Sequence, residues 1–428
     1  MKRPSVLLLA IGLAALPAMV AAQIGLPGVP GAGAVIDRVM KTLTLDQIEG
    51  ADPVNLADRL VDARLARIDA LVSRHRDLIE RDERDEPAVR GVLLVTGASA
   101  EQIATATRGG FAVIGRETIA GIDIDYHMLS VPAGESLARA IKRARKLLPG
   151  AEVSADHLYF ASGPAPSLQA AALAATGRVK DSVNSSAIGL IDGGIARHPA
   201  LTGRVEQSGF ARGAPAPSAH GTAIASLIAG RGAIRGASPG TPLLVADIYG
   251  SDPAGGNAVA IARALGWMTA RKVSVVTMSL VGPPNPLLQR AVGAARDRGV
   301  AIVAAVGNDG PAAPPAYPAS YPGVIAVTGV DAKNRALPEA GRAMHLDYAA
   351  PGADMRAGAV NGATARVRGT SFAAPFVAGR LFAHYARPNP AARAAALARL
   401  TGEARDLGKK GPDKLYGNGL VCGDCATK

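Results

Sequence analysis

Cysteine is nearly absent from this 428-residue chain, which has only Cys422 and Cys425, close to its C-terminal end. A structural zinc site needs four ligands, and neither a second cysteine pair nor a His-x-Cys motif supplies the other two. A thioredoxin-like pair is expected where a strand leads into a helix, not in a tail. We therefore expect these two cysteines to form a small-loop disulfide, as cysteines do in exported proteins.

Aromatic residues and dense basic runs are also scarce. Phe, Trp and Tyr make up 4% of the chain, which argues against the aromatic platforms that bind single-stranded nucleic acid. The formal net charge is +12, but the basic residues are mostly Arg and are spread singly. We interpret them as a solvated face of the protein and predict no nucleic-acid partner.

Beyond the N-terminus, no apolar stretch reaches membrane-spanning length without charge. The N-terminal segment places Lys2 and Arg3 before an apolar run that ends in small residues at Ala22. This pattern predicts a signal peptide over 1–22, cleaved after Ala22, with an uncleaved anchor as the alternative. We expect a monomer exported to the periplasm or the medium of a bacterium, with no membrane segment after cleavage.

Residues 23–86 begin with a Gly/Pro-rich stretch, "IGLPGVPGAGA", and continue with a helical pattern. From Val35 to about Glu86, leucines and isoleucines recur at spacings of about three to five residues, opposite a face dense in Arg and Asp. The pattern predicts a solvent-exposed amphipathic helix that Pro87 ends. Its role, as a chaperone extension or a partner-binding arm, is open.

Residues 87–160 alternate in the order strand, helix, strand, strand, helix, strand, which predicts a small α+β unit of the split βαβ, ferredoxin-like type. Residues 161–186 are small and polar, as expected of a linker. The stretch "GVLLVTGAS" is similar to the start of a dinucleotide-binding turn. Its second and third glycines are missing, which argues against a nicotinamide-dependent oxidoreductase.

Short apolar strands alternate with helices over residues 187–428, which predicts an α/β, doubly wound, mostly parallel sheet. In such sheets the chemistry collects at the carboxyl ends of the strands. Asp192 and Asn308 each end a strand, while His220 and Ser371 each begin a helix. A serine becomes a nucleophile beside a base that a carboxylate orients, and an amide can donate to an oxyanion. Singly, each of the four has an ordinary role as a turn or cap residue.

Four motifs, "GLIDGGI", "HGTAIAS", "AAVGNDG" and "GTSFAAPFVAG", resemble those of the subtilisin-like serine peptidases, or subtilases. The resemblance covers roughly 187–422 and implies a subtilisin-like fold with endopeptidase activity. It implies Asp192 as the residue that orients the base and His220 as general base and acid. It implies Ser371 as the nucleophile and Asn308 as the oxyanion donor.

The resemblance also implies a substrate pocket. Its walls would be Ser279, Leu280 and Val281 on one side and Ala305, Val306 and Gly307 on the other, with Ala316 as its floor. The apolar walls predict an apolar or aromatic residue before the scissile bond, and Asp309 near the rim would also accept a basic one. The loop 250–256 resembles the other edge that flanks the substrate.

The calcium loop of the family has no counterpart in this sequence. Residues 231–242 contain no Asp, Glu or Asn, and calcium needs several oxygen ligands. We predict no metal there and no cofactor, while calcium at another site stays open.

The 87–160 unit resembles the family's propeptide, which assists folding and inhibits the enzyme. Its last strand, "AEVSADHLYF", would leave through the active-site cleft as a substrate-like strand. This implies a secreted, self-processing precursor, cut between Tyr159 and about Val183, with its own propeptide and polypeptide substrates as partners. The alternative is a catalytically dormant scaffold or binding protein, against which the presence of all four catalytic groups weighs.

Overall fold

A computed structural model describes residues 53–162 and 186–427 of the chain. The predicted signal peptide, the Gly/Pro-rich stretch and most of the predicted linker lie outside the described residues. The described residues form a smaller N-terminal α+β unit and a larger α/β unit.

The N-terminal unit is an antiparallel sheet covered by helices. Its elements are α1 (Pro53–Arg74), β1 (Ile79–Arg81), β2 (Pro87–Thr96), α2 (Ala100–Arg108), β3 (Ala112–Ile119), β4 (Ile124–Ser130), α3 (Leu137–Leu147), β5 (Glu152–His157) and β6 (Phe160–Ala161). Strand β2 pairs with both β4 and β5, and its buried run Leu93, Leu94 and Val95 explains this central position. From β2 to β5 the order of elements is the one that the sequence predicts.

The helix of the extension is shorter than predicted. It ends at Arg74, and β1 pairs antiparallel with the start of β2 instead of continuing the helix. The physical cause is the turn after β1, where the Asp82 carboxylate accepts the amides of Arg84 (2.8 Å) and Glu86 (3.0 Å). Such local side-chain bonds offer the backbone an alternative to the helix.

The larger unit is built on a parallel sheet. Its elements are β7 (Ile188–Asp192), β8 (Val205–Gly209), α4 (Ala219–Ala229), β9 (Leu243–Asp247), α5 (Ala258–Ala270), β10 (Val275–Met278), β11 (Leu280–Val281), α6 (Pro286–Asp297), β12 (Ala301–Ala305), β13 (Ile325–Val330), β14 (Tyr348–Pro351), β15 (Met355–Gly358), β16 (Thr364–Val367), a 3₁₀ turn (Thr370–Phe372), α7 (Ala374–His384) and α8 (Pro390–Glu403). Seven strands form one sheet in the order β14-β13-β12-β10-β7-β9-β8, with every pairing parallel.

Both faces of this sheet are buried. Leu190 and Val303 belong to the cluster that contains α4 and α7 on one face. Ile191 and Ile302, one residue away in each strand, belong to the cluster with α5 and α6 on the other face. Since successive strand residues point to opposite sides, both faces need apolar residues, which explains the nearly continuous apolar strands. The predicted doubly wound α/β fold is confirmed.

The C-terminal tail carries the two cysteines, and a disulfide joins Cys422 to Cys425, with their Cα atoms 5.1 Å apart. Cys422 is buried and belongs to the same cluster as α4 and α7. Within the two described ranges, no helix is long and apolar enough to cross a membrane.

The N-terminal unit packs on helices α5 and α6 of the larger unit. Leu94 and Tyr126 join the apolar cluster of these helices. At the edge of this contact, both oxygens of the Glu117 carboxylate accept the guanidinium of Arg263 (Nε at 3.0 Å from each). A bidentate pair of this kind adds geometric specificity to the contact between the two units.

Asp156 of β5 connects the two units through the start of α5. Its Oδ1 atom accepts the backbone amide of Val259 at 3.1 Å, so a side chain of the smaller unit satisfies a helix N-terminus of the larger one. Burial raises the pKa of Asp156 from 3.8 to about 7, against the opposing effect of hydrogen bonds from Val259 and Ala258. The protonated form is therefore favoured in the folded protein below a pH of about 7.

This raised pKa predicts a pH-dependent contribution to stability. A folded-state pKa above the unfolded value stabilises below pH ~4, and the stabilisation is lost as the pH rises through about 7. The unfolding free energy of the wild type should therefore fall by up to about 1.4 kcal/mol per pH unit between these limits. The Asp156→Asn variant should lack this decline. Denaturant unfolding of the wild type and of this variant from pH 4 to 8 measures the difference in slope. Curves that stay parallel would contradict this, and Asp58→Asn, at an exposed site, is the control.

Candidate active site

Asp192 and His220 form a buried carboxylate–imidazole pair. Asp192 is the last residue of β7, and its two oxygens each lie 2.9 Å from His220 Nδ1. His220 is the second residue of α4 and is 4% exposed. A Cβ on Gly221 would lie 2.3 Å from the Gly193 carbonyl oxygen, so glycine is needed where α4 approaches β7. A carboxylate bound to Nδ1 fixes the orientation of the imidazole and stabilises its cation.

Ser371 lies in the 3₁₀ turn before α7, and not at the first residue of that helix as predicted. Pro375, at the start of α7, is typical of a first helical turn and places the helix start beyond the serine. The neighbouring Phe372 ring lies 5.5 Å from the His220 ring, measured between centroids, which brings this turn beside the imidazole. Ser371 is fully buried, and its Oγ is 2.8 Å from Oγ of Ser162 in the N-terminal unit.

Asn308 follows β12 and faces the same turn. Its Oδ1 accepts the backbone amide of Thr370 at 2.9 Å, which fixes the amide plane. Its buried Nδ2 has no hydrogen-bond partner among the described residues. Gly369 has φ +134°, and a Cβ there would lie 3.0 Å from Asn308 Nδ2. The amide is therefore held as a donor beside Ser371, which is what stabilisation of an oxyanion requires.

The end of the N-terminal unit lies in the cleft between two edges of the larger unit. Strand β6 pairs antiparallel with β11, and the Ser162 amide donates to the Ser279 carbonyl at 3.0 Å. On the other side, the Tyr159 amide donates to the Gly256 carbonyl at 2.8 Å, in the loop predicted to flank the substrate. The segment is thus an added strand, the geometry of peptide recognition by β-augmentation.

The predicted pocket residues lie in two groups around this segment. Ser279 and the two residues of β11, Leu280 and Val281, bind the segment through their backbones. A Cβ on Gly307 would lie 3.0 Å from Val281 Cγ1 and 3.8 Å from Ala316 Cβ, so these three positions adjoin one another. Ala305 ends β12, and Val306 follows it, also buried. Asp309 instead contacts two arginines of α1, which the sequence does not predict.

A buried ion pair that sequence reasoning missed supports the serine turn. Arg368, directly before Gly369, donates from Nε to Glu339 Oε1 at 2.7 Å and from Nη2 to Oε2 at 3.0 Å. The Glu339 carbonyl also accepts the Gly310 amide at 3.1 Å, on the loop that carries Asn308. The pair therefore connects the segment before Ser371 to the loop after β12. Neither residue belongs to one of the four motifs, so the sequence gives no signal for this pair.

Comparison with known proteins agrees with this geometry. The sequence profile of the Subtilase family matches residues 184–419. Subtilisin BL of Lederbergia lenta is 33% identical over 249 residues, which are 56% of this chain and 90% of that protein. Subtilisin amylosacchariticus of Bacillus subtilis subsp. amylosacchariticus is 30% identical over 300 residues, or 66% of this chain and 77% of that protein.

One solved structure extends the similarity of fold to the N-terminal unit. Fervidolysin from Fervidobacterium pennivorans, described as a keratinolytic enzyme related to subtilisin, superposes with a TM-score of 0.62 at 21% identity. The match covers 79% of this chain and 61% of the fervidolysin chain. The fold and the comparisons together define a serine endopeptidase. The chain belongs to the subtilase family.

The buried pair beside the site predicts a large effect on stability. Glu339→Gln leaves the Arg368 cation buried without its carboxylate, which costs about 3–5 kcal/mol of unfolding free energy. Denaturant unfolding in a Ser371→Ala background measures this loss. Glu403→Gln, which removes a more exposed partner of Arg380, is the control and should cost under about 1 kcal/mol. Equal losses of unfolding free energy for the two variants would show that the buried Glu339–Arg368 pair stabilises the fold no more than the more exposed Glu403–Arg380 pair does.

Proposed function

We propose that the chain is the self-processing precursor of a secreted serine endopeptidase. In this proposal Asp192 orients His220, His220 acts as general base and acid, Ser371 is the nucleophile and Asn308 donates to the oxyanion. The observation that carries the proposal is the position of Ser162, whose Oγ is 2.8 Å from Ser371 Oγ and whose amide is bound to Ser279.

The bond between Ser162 and Gly163 is the proposed site of self-cleavage. Strand β6 and the Ser162 amide continue one antiparallel pairing along β11 and Ser279. This pairing ends at the amide of Ser162, the residue beside Ser371. The carbonyl of Ser162 itself is therefore the one presented to the nucleophile. The bond falls inside the window predicted from the sequence, Tyr159 to about Val183, most of which lies outside the described residues.

The proposed reaction follows from these positions. Ser371 Oγ attacks the Ser162 carbonyl carbon while His220 takes its proton, and the Asn308 amide stabilises the oxyanion of the tetrahedral intermediate. His220 then gives the proton to the Gly163 nitrogen as the peptide bond breaks, which leaves an acyl-enzyme. Water, deprotonated by His220, hydrolyses that ester and frees Ser371. Loss of an oxyanion donor typically lowers turnover by about 10²–10³.

Substrate selection is proposed to follow the segment that the cleft already binds. Ser162, at the position before the bond, is small, while Tyr159 is fully buried and donates its hydroxyl to the Pro283 carbonyl at 2.7 Å. A large aromatic side chain that buries its ring contributes more to the binding free energy than a small side chain does. In a polypeptide substrate, the residue before the scissile bond takes the place of Ser162. We expect the enzyme to favour substrates with an aromatic residue three positions before that one, in the place of Tyr159. The predicted apolar or aromatic preference next to the bond stays a prediction.

Export and the lack of a resident metal are parts of the same proposal. The pattern of residues 1–22 and the Cys422–Cys425 disulfide support an oxidising compartment outside the cytoplasm. Among the described residues, no group of three or more His, Cys, Asp or Glu side chains forms a candidate metal site. The absence of a metal from residues 231–242 stays a prediction, and calcium at another site stays open. The proposed partners are polypeptide substrates and the chain's own N-terminal unit.

The Ser371→Ala variant tests self-processing. The purified chain without residues 1–22 should split into two fragments in the wild type, while Ser371→Ala stays intact because no nucleophile attacks the bond. Intact mass and gel mobility over time measure the split. Ser208→Ala, on the outermost strand β8, is the control and should split at the wild-type rate.

The other outcomes are equally informative. If the wild type and the Ser371→Ala variant both stay intact, the chain does not process itself and the dormant scaffold regains support. If both split alike, the cut is made by another protease, and the role proposed for Ser371 in processing is wrong.

A further inference from the structure

Helix α1 lies across the occupied cleft and contacts both of its sides. Near its N-terminal end, Leu60 packs on the loop after Asn308, where a Cβ on Gly310 would lie 3.0 Å from Leu60 Cδ1. Near its C-terminal end, Leu71 is clustered with Ala254 of the opposite loop and with Leu158, just before β6. The helix therefore spans the strand that occupies the cleft.

The apolar face of α1 is buried, and Leu60 and Leu71 on this face make the contact with the cleft. Its buried leucines and isoleucine are Leu56, Leu60, Ile68 and Leu71, each between 1% and 6% exposed. Leu65 points away and is 44% exposed. Phe160, in the middle of the cleft strand, packs against the cluster that contains Leu71. The charged side of the helix is exposed at Asp58, Arg59 and Asp69, as the sequence predicts. Arg64 and Arg67 depart from that prediction because they face the larger unit.

The charged contact is made at Asp309, the residue after Asn308. Arg67 Nη2 lies 2.5 Å from Asp309 Oδ1, and Arg64 Nε lies 3.7 Å from Asp309 Oδ2. Arg64 also donates to both oxygens of Glu86 at 2.8 Å, which connects the helix to the turn after β1. These side chains are 14–19% exposed, so the pairs are partly shielded from water and salt.

We propose that α1 is a second inhibitory element, a strap that closes over the cleft strand. Its attachment point on the larger unit is Asp309. This inference rests on the proposed self-processing. The strand alone is held by backbone bonds over only a few residues. A helix attached to both sides of the cleft slows departure of that strand after the bond is cut and excludes other polypeptides meanwhile. Full activity then requires α1 to leave Asp309.

The strap predicts that weakening its charged contact releases activity sooner. In the full chain without residues 1–22, Arg67→Ala should raise the peptidase activity present at a fixed time after processing by about tenfold, because loss of a shielded charge pair mainly speeds dissociation. Arg59→Ala, at an exposed site on the same helix, is the matched control and should behave as wild type. Hydrolysis of a chromogenic peptide and the mass of the fragments are followed together.

A mutant cycle isolates the contact. Asp309→Asn should release activity as Arg67→Ala does, and the double variant should gain little beyond either one, since both remove the same pair. Additive increases in activity would mean that Arg67 and Asp309 act separately, and that Asp309 is not the attachment point of the strap. Equal activity in wild type, Arg67→Ala and Arg59→Ala would overturn the strap.

A readout that needs no cleavage separates this inference from the proposed function. In a Ser371→Ala background, amide hydrogen exchange of residues 158–162 should be faster in Arg67→Ala than in Arg59→Ala. The reason is that α1, without its contact to Asp309, covers the cleft strand less of the time. Unchanged exchange would overturn the strap even where processing works. A wild-type chain that never splits would overturn self-processing, while the exchange result would still decide whether α1 holds the strand.

Discussion

The hydrogen bonds between β6 and the edge formed by Ser279 and β11 determine the geometry of the whole site. They set the register of the cleft strand, and a slip of one residue would move the chain by about 3.3 Å and reverse every side chain. The second attachment, from Tyr159 to Gly256, prevents the strand from tilting away. In the proposed reaction this pairing locates the bond after Ser162, and the groups around Ser371 then act on a carbonyl already in place.

The sheet supplies the other half of this geometry. Asp192 and Asn308 come from strands β7 and β12, whose carboxyl ends lie at one edge because all the pairings are parallel. His220 and Ser371 come from the starts of α4 and of the turn before α7, two helices that share one face of the sheet. Residues far apart in the sequence thus meet without a long loop, and the buried Glu339–Arg368 pair connects the two segments that carry Asn308 and Ser371.

The sequence predicts what depends on local pattern. Apolar strands and their polar end residues indicate the sheet and the positions of Asp192 and Asn308, and alternating strands and helices indicate the small N-terminal unit. It fails where the outcome depends on contacts between distant residues. Arg67 and Asp309 are 242 positions apart, and an arginine on a helix has the same pattern whether it faces water or a carboxylate. The helix end at Arg74 was missed because the apolar spacing fits either structure until the Asp82 turn forms.

The masses of the first two fragments released by the wild-type chain test whether the paired cleft strand is the substrate. If the cleft strand is the substrate, the earliest cut, sampled before any trimming, leaves one fragment that ends at Ser162 and another that begins at Gly163. That result would show that the pairing along β11 selects the bond. A first cut at any other bond, such as one near Val183, would mean that the strand in the cleft is not the substrate and would contradict the proposed self-cleavage after Ser162.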